Sequence, residues 1–212
     1  MKNYKLKSSL ITIAIIAFTY MANANSFTGN NSSVNKANLA AVNHLSTSKK
    51  DAMAAANAYE NQGSYYAFIN KKYQAIIAYG MAELMYKIAC DTAGIASSSF
   101  KASMIYFEKG KYYIGINGLL SVLKLSQLTN DSVTVADCLS NLGNGYYELK
   151  QYDTALEYMH KQLELSHKLN DQRKVSDAYK NLAKTYQKLN CKDEAQKYLQ
   201  LFANLAESLA KK

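Results

Sequence analysis

Proline and tryptophan are both absent from this 212-residue chain. Loop-rich all-β folds draw heavily on Pro and Gly for their turns, so a proline-free chain of this size favours long helices joined by short polar turns. Arginine occurs once, at Arg173. Guanidinium is the preferred group for bidentate phosphate and guanine contacts, so a positive surface built otherwise from lysine is a poor reader of nucleic acid. The three cysteines, Cys90, Cys138 and Cys191, are too few for a disulfide-stapled miniature fold, and their odd number leaves at least one without a partner in the chain. Also missing are an H-E-x-x-H helix, a phosphate-binding glycine loop and a Cys-x-x-Cys pair. No cofactor or metal site is expected, and the chain is read as a binding protein rather than an enzyme.

Hydrophobic residues make up 49% of the chain and charged residues 19%, enough apolar material for a core and nothing that suggests wholesale disorder. The first residues read as a targeting segment. Lys2, Lys5 and Lys7 form a basic head, Leu10 to Met21 is apolar, and Ala22-Asn23-Ala24 is a small-x-small cleavage pattern. Residues 1–24 are therefore expected to be a signal peptide, and the chain to be exported to the periplasm or secreted. The apolar run is short of the roughly 20 residues a membrane span needs, and no later run is long enough. Loss of residues 1–24 removes three lysines and no acid, taking the net charge from +9 to +6. Residues 25–50, rich in Ser and Asn, read as a flexible tether with a weak helix around Val34 to Leu45 covering the start of the domain beyond it.

The rest repeats. A shift of 40 aligns Asn141-Leu142 with Asn181-Leu182, Leu149 with Leu189, Asp153 with Asp193, and Leu165 with Leu205. Earlier copies keep the main columns. Tyr66, Tyr106, Tyr146 and Tyr186 form one; Gly63, Ser103, Gly143 and Ala183 form a second of small residues; Ala75, Gly115, Ala155 and Ala195 form a third. Asp91, Asp131 and Asp171 close three successive units, and Asp171 is placed to cap the helix after it. Within a unit Leu139, Leu142, Tyr146 and Leu149 recur with helical spacing, and Tyr152, Leu156, Met159 and Leu163 give a second amphipathic face. Each unit is thus a helix pair whose small columns let the two backbones approach. Such pairs cannot bury their apolar faces singly, but stacked units share one core. The reading is a repeat domain over 51–210, with units at about 55–94, 95–134, 135–174 and 175–210. Its last helix should turn Tyr198, Phe202, Leu205 and Leu209 inward and leave Leu201 over on the polar side.

These columns resemble the tetratricopeptide repeat, most clearly at Leu139, Leu142-Gly143, Tyr146, Tyr152 and Ala155, and again at Tyr179, Leu182-Ala183, Tyr186 and Ala195. Asn141 to Tyr146 is similar to the 40-residue subtype of kinesin light chains and Rap-type phosphatases. The proline that usually closes a repeat is missing throughout. The resemblance implies an all-α, right-handed superhelical array of four helix hairpins, with the first helix of each pair lining a concave groove.

In that register Asn61, Lys101, Asn141 and Asn181 share one groove column, and Asn144 and Lys184 another. A carboxamide offers a donor and an acceptor together, which suits the backbone of an extended peptide. Lys180, Lys184 and Lys188 form a basic stripe that favours an acidic ligand. The expected partner is accordingly a protein or extended peptide with some acidic preference, not nucleic acid. The rival is a structural component of an envelope complex that uses the convex or terminal surfaces. The tyrosine column is assigned to packing, and His160 and His167 to a solvated outer face. All three cysteines are expected to be free thiols.

Overall fold

The computed structural model describes residues 49–210. The expected signal peptide (1–24), nearly all of the tether (25–50) and the helix around Val34 to Leu45 lie outside the described residues. Eight α-helices follow one another: α1 (Lys49–Phe68), α2 (Lys72–Ala89), α3 (Thr92–Glu108), α4 (Tyr112–Leu128), α5 (Ser132–Glu148), α6 (Tyr152–Lys168), α7 (Gln172–Lys188) and α8 (Lys192–Ala210). They pair as four hairpins, α1–α2 through α7–α8, and the described residues contain no strand. The second, third and fourth hairpins begin at Thr92, Ser132 and Gln172, three residues before the expected boundaries at 95, 135 and 175. The helix stops lie with the Asp caps, and the tyrosine and leucine columns that reveal the repeat say nothing about where a turn falls.

Every turn is built alike. Asn70, Cys90, Gly110, Asn130, Lys150, Asn170 and Asn190 all have positive φ, at intervals of 20 residues. At each, the left-handed residue's N–H bonds to the carbonyl three residues back, and the next N–H bonds five residues back. Asn70 N to Ala67 O at 3.0 Å and Lys71 N to Tyr66 O at 2.8 Å are one example. That is the Schellman closure, which satisfies the otherwise orphaned last carbonyls of a helix. The residue after the left-handed one is at once the end of one helix and the N-cap of the next, so nothing is left over for a linker. This is why a chain without proline can still stop every helix.

The caps alternate. Asp91, Asp131 and Asp171, between hairpins, accept from backbone N–H groups of the next turn; Asp171 takes those of Arg173 and Lys174 at 3.1 and 3.0 Å. Lys71, Lys111 and Gln151, within hairpins, give no side-chain cap. The close crossing of each pair explains the small columns. A Cβ on Gly143 would lie 2.8 Å from Met159 Cγ, and one on Gly63 2.7 Å from the Tyr79 ring.

The core runs through the stack as a series of clusters, each shared between neighbouring helices. Ala75, Tyr79 and Ile105 join the first two hairpins; Ile116, Leu119, Val122, Cys138 and Leu142 join the second to the third; Met159, Leu182 and Tyr198 join the third to the fourth. One correction concerns α8. Leu201 packs against the last cluster, whereas Leu209 is exposed, since among the described residues no helix packs over the final turns of α8.

Candidate functional site

Each helix packs on its sequence neighbours, and in addition α1 touches α3 and α5 touches α7, while the second helices of adjacent hairpins make no comparable contact. The first helices therefore form the inner side of the stack. Side-chain links cross that side from hairpin to hairpin: Lys101 and Ser97 to Glu60, both at 2.7 Å, Lys174 to Asp137 at 2.7 Å, and Lys184 over the Tyr147 ring at 4.3 Å from its centre.

In the first half the inner face is closed upon itself. Glu60 Oε1 accepts from Lys101 Nζ and from Ser97 Oγ, both at 2.7 Å, and Oε2 accepts from the Tyr86 hydroxyl at 2.5 Å. The same hydroxyl lies 2.8 Å from Asn57 Oδ1. Burial pushes the Glu60 carboxyl up, but the bonds from Lys101, Tyr86 and Ser97 together outweigh it and hold it below the usual range. Lys101 is therefore engaged within the chain. Asn61 is exposed beside this network.

The second half is more open. Between α5 and α7 lies a cleft of about 380 Å³ lined by Asp137, Ser140, Asn141, Gln162, Arg173, Lys174 and their neighbours. Asn141 is half-buried and donates its amide to Asp137 O at 2.9 Å. Lys174, bonded to Asp137 and 3.7 Å from Asp171, is held in its charged form, its pKa raised chiefly by the bond to Asp137. Gln162, 1% exposed, donates to Lys174 O at 3.0 Å, which ties the floor of the cleft to the start of α7. Asn144 and Asn181 are half-buried further along, and Lys180, Lys184 and Lys188 are exposed. Of the candidate peptide-binding residues, Asn141 alone lines the cleft. Lys184 sits on a neighbouring aromatic ring. Sequence reasoning missed Glu60, Tyr86, Gln162 and Tyr147, because each makes its contact through a residue type its column does not repeat.

One of the two outer-face histidines departs from expectation. His160 is half-buried rather than solvated, with Nε2 3.1 Å from the Tyr186 hydroxyl and its ring edge-on to Tyr186 and Tyr198. Burial, with Lys197 nearby, lowers its pKa. His167 is exposed and lies 3.4 Å from the Tyr179 hydroxyl. The four column tyrosines are half-buried, in keeping with a packing role. The thiols stand apart as free cysteines; burial pushes that of Cys138 up to about 12. Among the described residues no helix is long and apolar enough to cross a membrane, and no cluster of three or more His, Cys, Asp or Glu could hold a metal ion.

The architecture matches known proteins. BtubC (BKLC) from P. vanneervenii superposes with a TM-score of 0.69 at 17% identity, over 73% of this chain and 64% of that one. The apo form of RapI gives 0.71 at 18%, over 74% and 44%. Aspartyl phosphate phosphatase F from Bacillus subtilis gives 0.69 at 14%, over 82% and 47%. The chain spans less than two thirds of the length of each. No curated protein matches it significantly in sequence. The tetratricopeptide repeat model does match, over residues 134–208. The last two hairpins are thus tetratricopeptide repeats by sequence, and the eight described helices share the fold of these solved structures.

Proposed function

We propose that the protein is an exported interaction adaptor that holds an extended peptide segment along the inner face of α5 and α7. The observation that carries this reading is the contrast along that face. Glu60, Lys101, Ser97 and Tyr86 satisfy one another in the first half, whereas the second half presents an open polar cleft with Asn141 at its wall. Asn141, Asn144 and Asn181 would grip peptide units, since a neutral carboxamide matches both backbone groups. Lys180, Lys184 and Lys188 would favour acidic residues at the end of the ligand lying on α7. Asn61 and Lys101 extend the same column into the first half, with Lys101 drawn away by Glu60. Repeat arrays present extended inner surfaces of this kind to protein ligands, which supports a protein partner.

The test is selection from a random peptide library, followed by titration of the enriched peptide. Asn141→Ala and Asn181→Ala should each weaken binding by about 1 kcal/mol. That loss should be the same at low and high salt, because no net charge is involved. Lys180→Gln, Lys184→Gln and Lys188→Gln together should weaken it only at low salt, since the Debye length falls from about 10 Å at 0.1 M to about 3 Å at 1 M. Unchanged affinity in both variants at low salt would exclude the groove, and the reading as a structural envelope component on the convex or terminal surfaces would replace it.

A further inference from the structure

The turn edge of the first two hairpins carries a surface that groove binding does not use. The turn between α1 and α2 exposes Tyr65, Phe68 and Tyr73, of which Phe68 is 88% accessible; the turn between α3 and α4 exposes Tyr113 and Ile114. The two turns touch, with Lys109 Nζ 3.7 Å from the Tyr73 ring centre and Lys72 Nζ 3.3 Å from Glu108 Oε2. Lysines alternate with the aromatics: Lys71 and Lys111 are the exposed N-caps of α2 and α4, and Lys109 closes α3. The local potential is positive enough that Lys109 and then Lys111 hold the Tyr73 phenol below its usual range. The acid on this edge, Glu108, is answered by Lys72.

The repeat supplies its own control. Positions equivalent to Tyr73 and Tyr113 are Asp153 and Asp193 in the later hairpins, and those equivalent to Ile114 are Thr154 and Glu194. The turn backbone is the same in all four, so the fold does not require the apolar side chains. Apolar side chains kept in water on two adjoining turns have an unfavourable hydration cost and mark an interaction surface.

We propose that this edge docks on an anionic lipid bilayer. Phe68, Tyr73, Tyr113 and Ile114 enter the headgroup region, while Lys71, Lys109 and Lys111 approach the lipid phosphates. Tyrosine suits that interface because its ring is apolar and its hydroxyl stays wet. Lysine lays its stem along the apolar surface and keeps its ammonium at the headgroups, where the negative surface potential attracts it. The geometry favours lipid over protein. Phe68 protrudes from a turn tip with almost all its surface free, and a bilayer closes around a protruding ring where a folded partner would need a matching pocket.

Hydrogen exchange of the full chain, with and without vesicles, tests this. Vesicles containing phosphatidylglycerol should protect amides around 68–73 and 109–114, and vesicles of phosphatidylcholine alone should not. Phe68→Ser with Tyr113→Ser, or Lys109→Gln with Lys111→Gln, should lower vesicle binding by roughly tenfold or more. Phe68, Tyr113 and Lys111 are exposed and Lys109 is half-buried against Tyr73, and unchanged circular dichroism would confirm that the variants fold. Lys180→Gln, on the groove side, should leave binding as it was. Protection confined to residues 10–21, no loss in the edge variants, or protection of the edge by polyglutamate but not by vesicles would each overturn the proposal. Because the readouts lie on the edge and the groove residues are untouched, failure here leaves the peptide-binding reading standing.

Discussion

The Tyr146 ring lies flat on Tyr158, and the Tyr186 ring flat on Tyr198, with centroids 5.3 and 5.7 Å apart. Twelve residues beyond Tyr66 and Tyr106 the chain instead has Ala78 and Gly118. The first two hairpins fill the same gap by other means: Tyr66 packs beside Tyr79 and Ile105, and Phe107 sits over Gly115 and edge-on to Tyr112. Their inner face is sealed by Glu60, and their turn edge is aromatic and basic where the later hairpins are acidic. One backbone, stopped seven times by the same closure, thus carries two unlike halves. The comparison teaches that the turns and small columns hold the array, and the large side chains are free to differ as long as each gap is filled.

The largest expected effect lies at the seam. Leu142 and Leu119 are both 0% exposed in the cluster that joins the second hairpin to the third. Leu142→Ala should cost about 2–5 kcal/mol, as cavity-forming changes of this type do. Stability in stacked repeats is a sum of unit and nearest-neighbour interface terms, so weakening this interface should separate the halves. Denaturant unfolding followed by hydrogen exchange should then show two transitions, one for α1–α4 and one for α5–α8. Leu182→Ala, within the later half, should cost a similar amount and leave exchange in α1–α4 slow. A single transition in the Leu142 variant would mean that the halves differ only in their surfaces.

A smaller effect distinguishes the two inner faces. Glu60→Ala removes the shared partner of Lys101 and Ser97 and leaves the Tyr86 hydroxyl only Asn57, and should cost about 1–3 kcal/mol. Ser140→Ala, at the same column in the third hairpin, should stay within about 0.5 kcal/mol. The pH dependence comes from the lowered Glu60 pKa. A carboxyl that binds its proton less readily in the folded state stabilises fully above its unfolded pKa, and that contribution is lost as pH falls through the folded value. Acid should therefore loosen α1–α3 through Glu60, and the Glu60→Ala variant should lack this part of the acid transition. Melting curves from neutral pH down to the acid range, compared between the two proteins, read it directly.

Much of this architecture was legible in the sequence, for physical reasons. The tyrosine, glycine and leucine columns recur because every hairpin meets the same crossing, and a requirement imposed on every unit is visible as a period. Asp171 was recognisable as a cap for the same reason. The turns at Lys150-Gln151 and Asn170-Asp171 were legible, but their common left-handed closure was not, because the residue that adopts positive φ is Asn, Cys, Gly or Lys in different turns; the backbone repeats there while the side chain does not. Glu60, Tyr86 and Gln162 escaped because each occurs once, and a contact made once leaves no period. His160 was misread as solvated because its column says only that α6 faces outward. Its burial comes from Tyr186 and Tyr198 on the next hairpin.

The smallest effect tests whether the turns are as alike as their geometry. Four of the seven left-handed positions hold Asn and one holds Gly, residues that reach this region with little penalty. Each half has one exception: Cys90 at φ 57° in the first and Lys150 at φ 61° in the second. For residues of these kinds the left-handed conformation costs roughly 1–2 kcal/mol, part of which Asn recovers through its short polar side chain. Cys90→Asn and Lys150→Asn should therefore each raise stability by on the order of 0.5–1 kcal/mol. The two gains should be equal, although one turn joins hairpins and the other lies within one, because φ and the closing bonds are the same at both. The Cys90 thiol makes only a long contact to Ile88 O, at 3.9 Å, so little is lost with it. Denaturant midpoints at constant m-value measure both gains, with Asn170→Ala as the reverse change, expected to lose a comparable amount. Unequal gains would show that the surroundings of a turn, and so the half it belongs to, set its cost. Equal ones would place the whole difference between the halves in the helices.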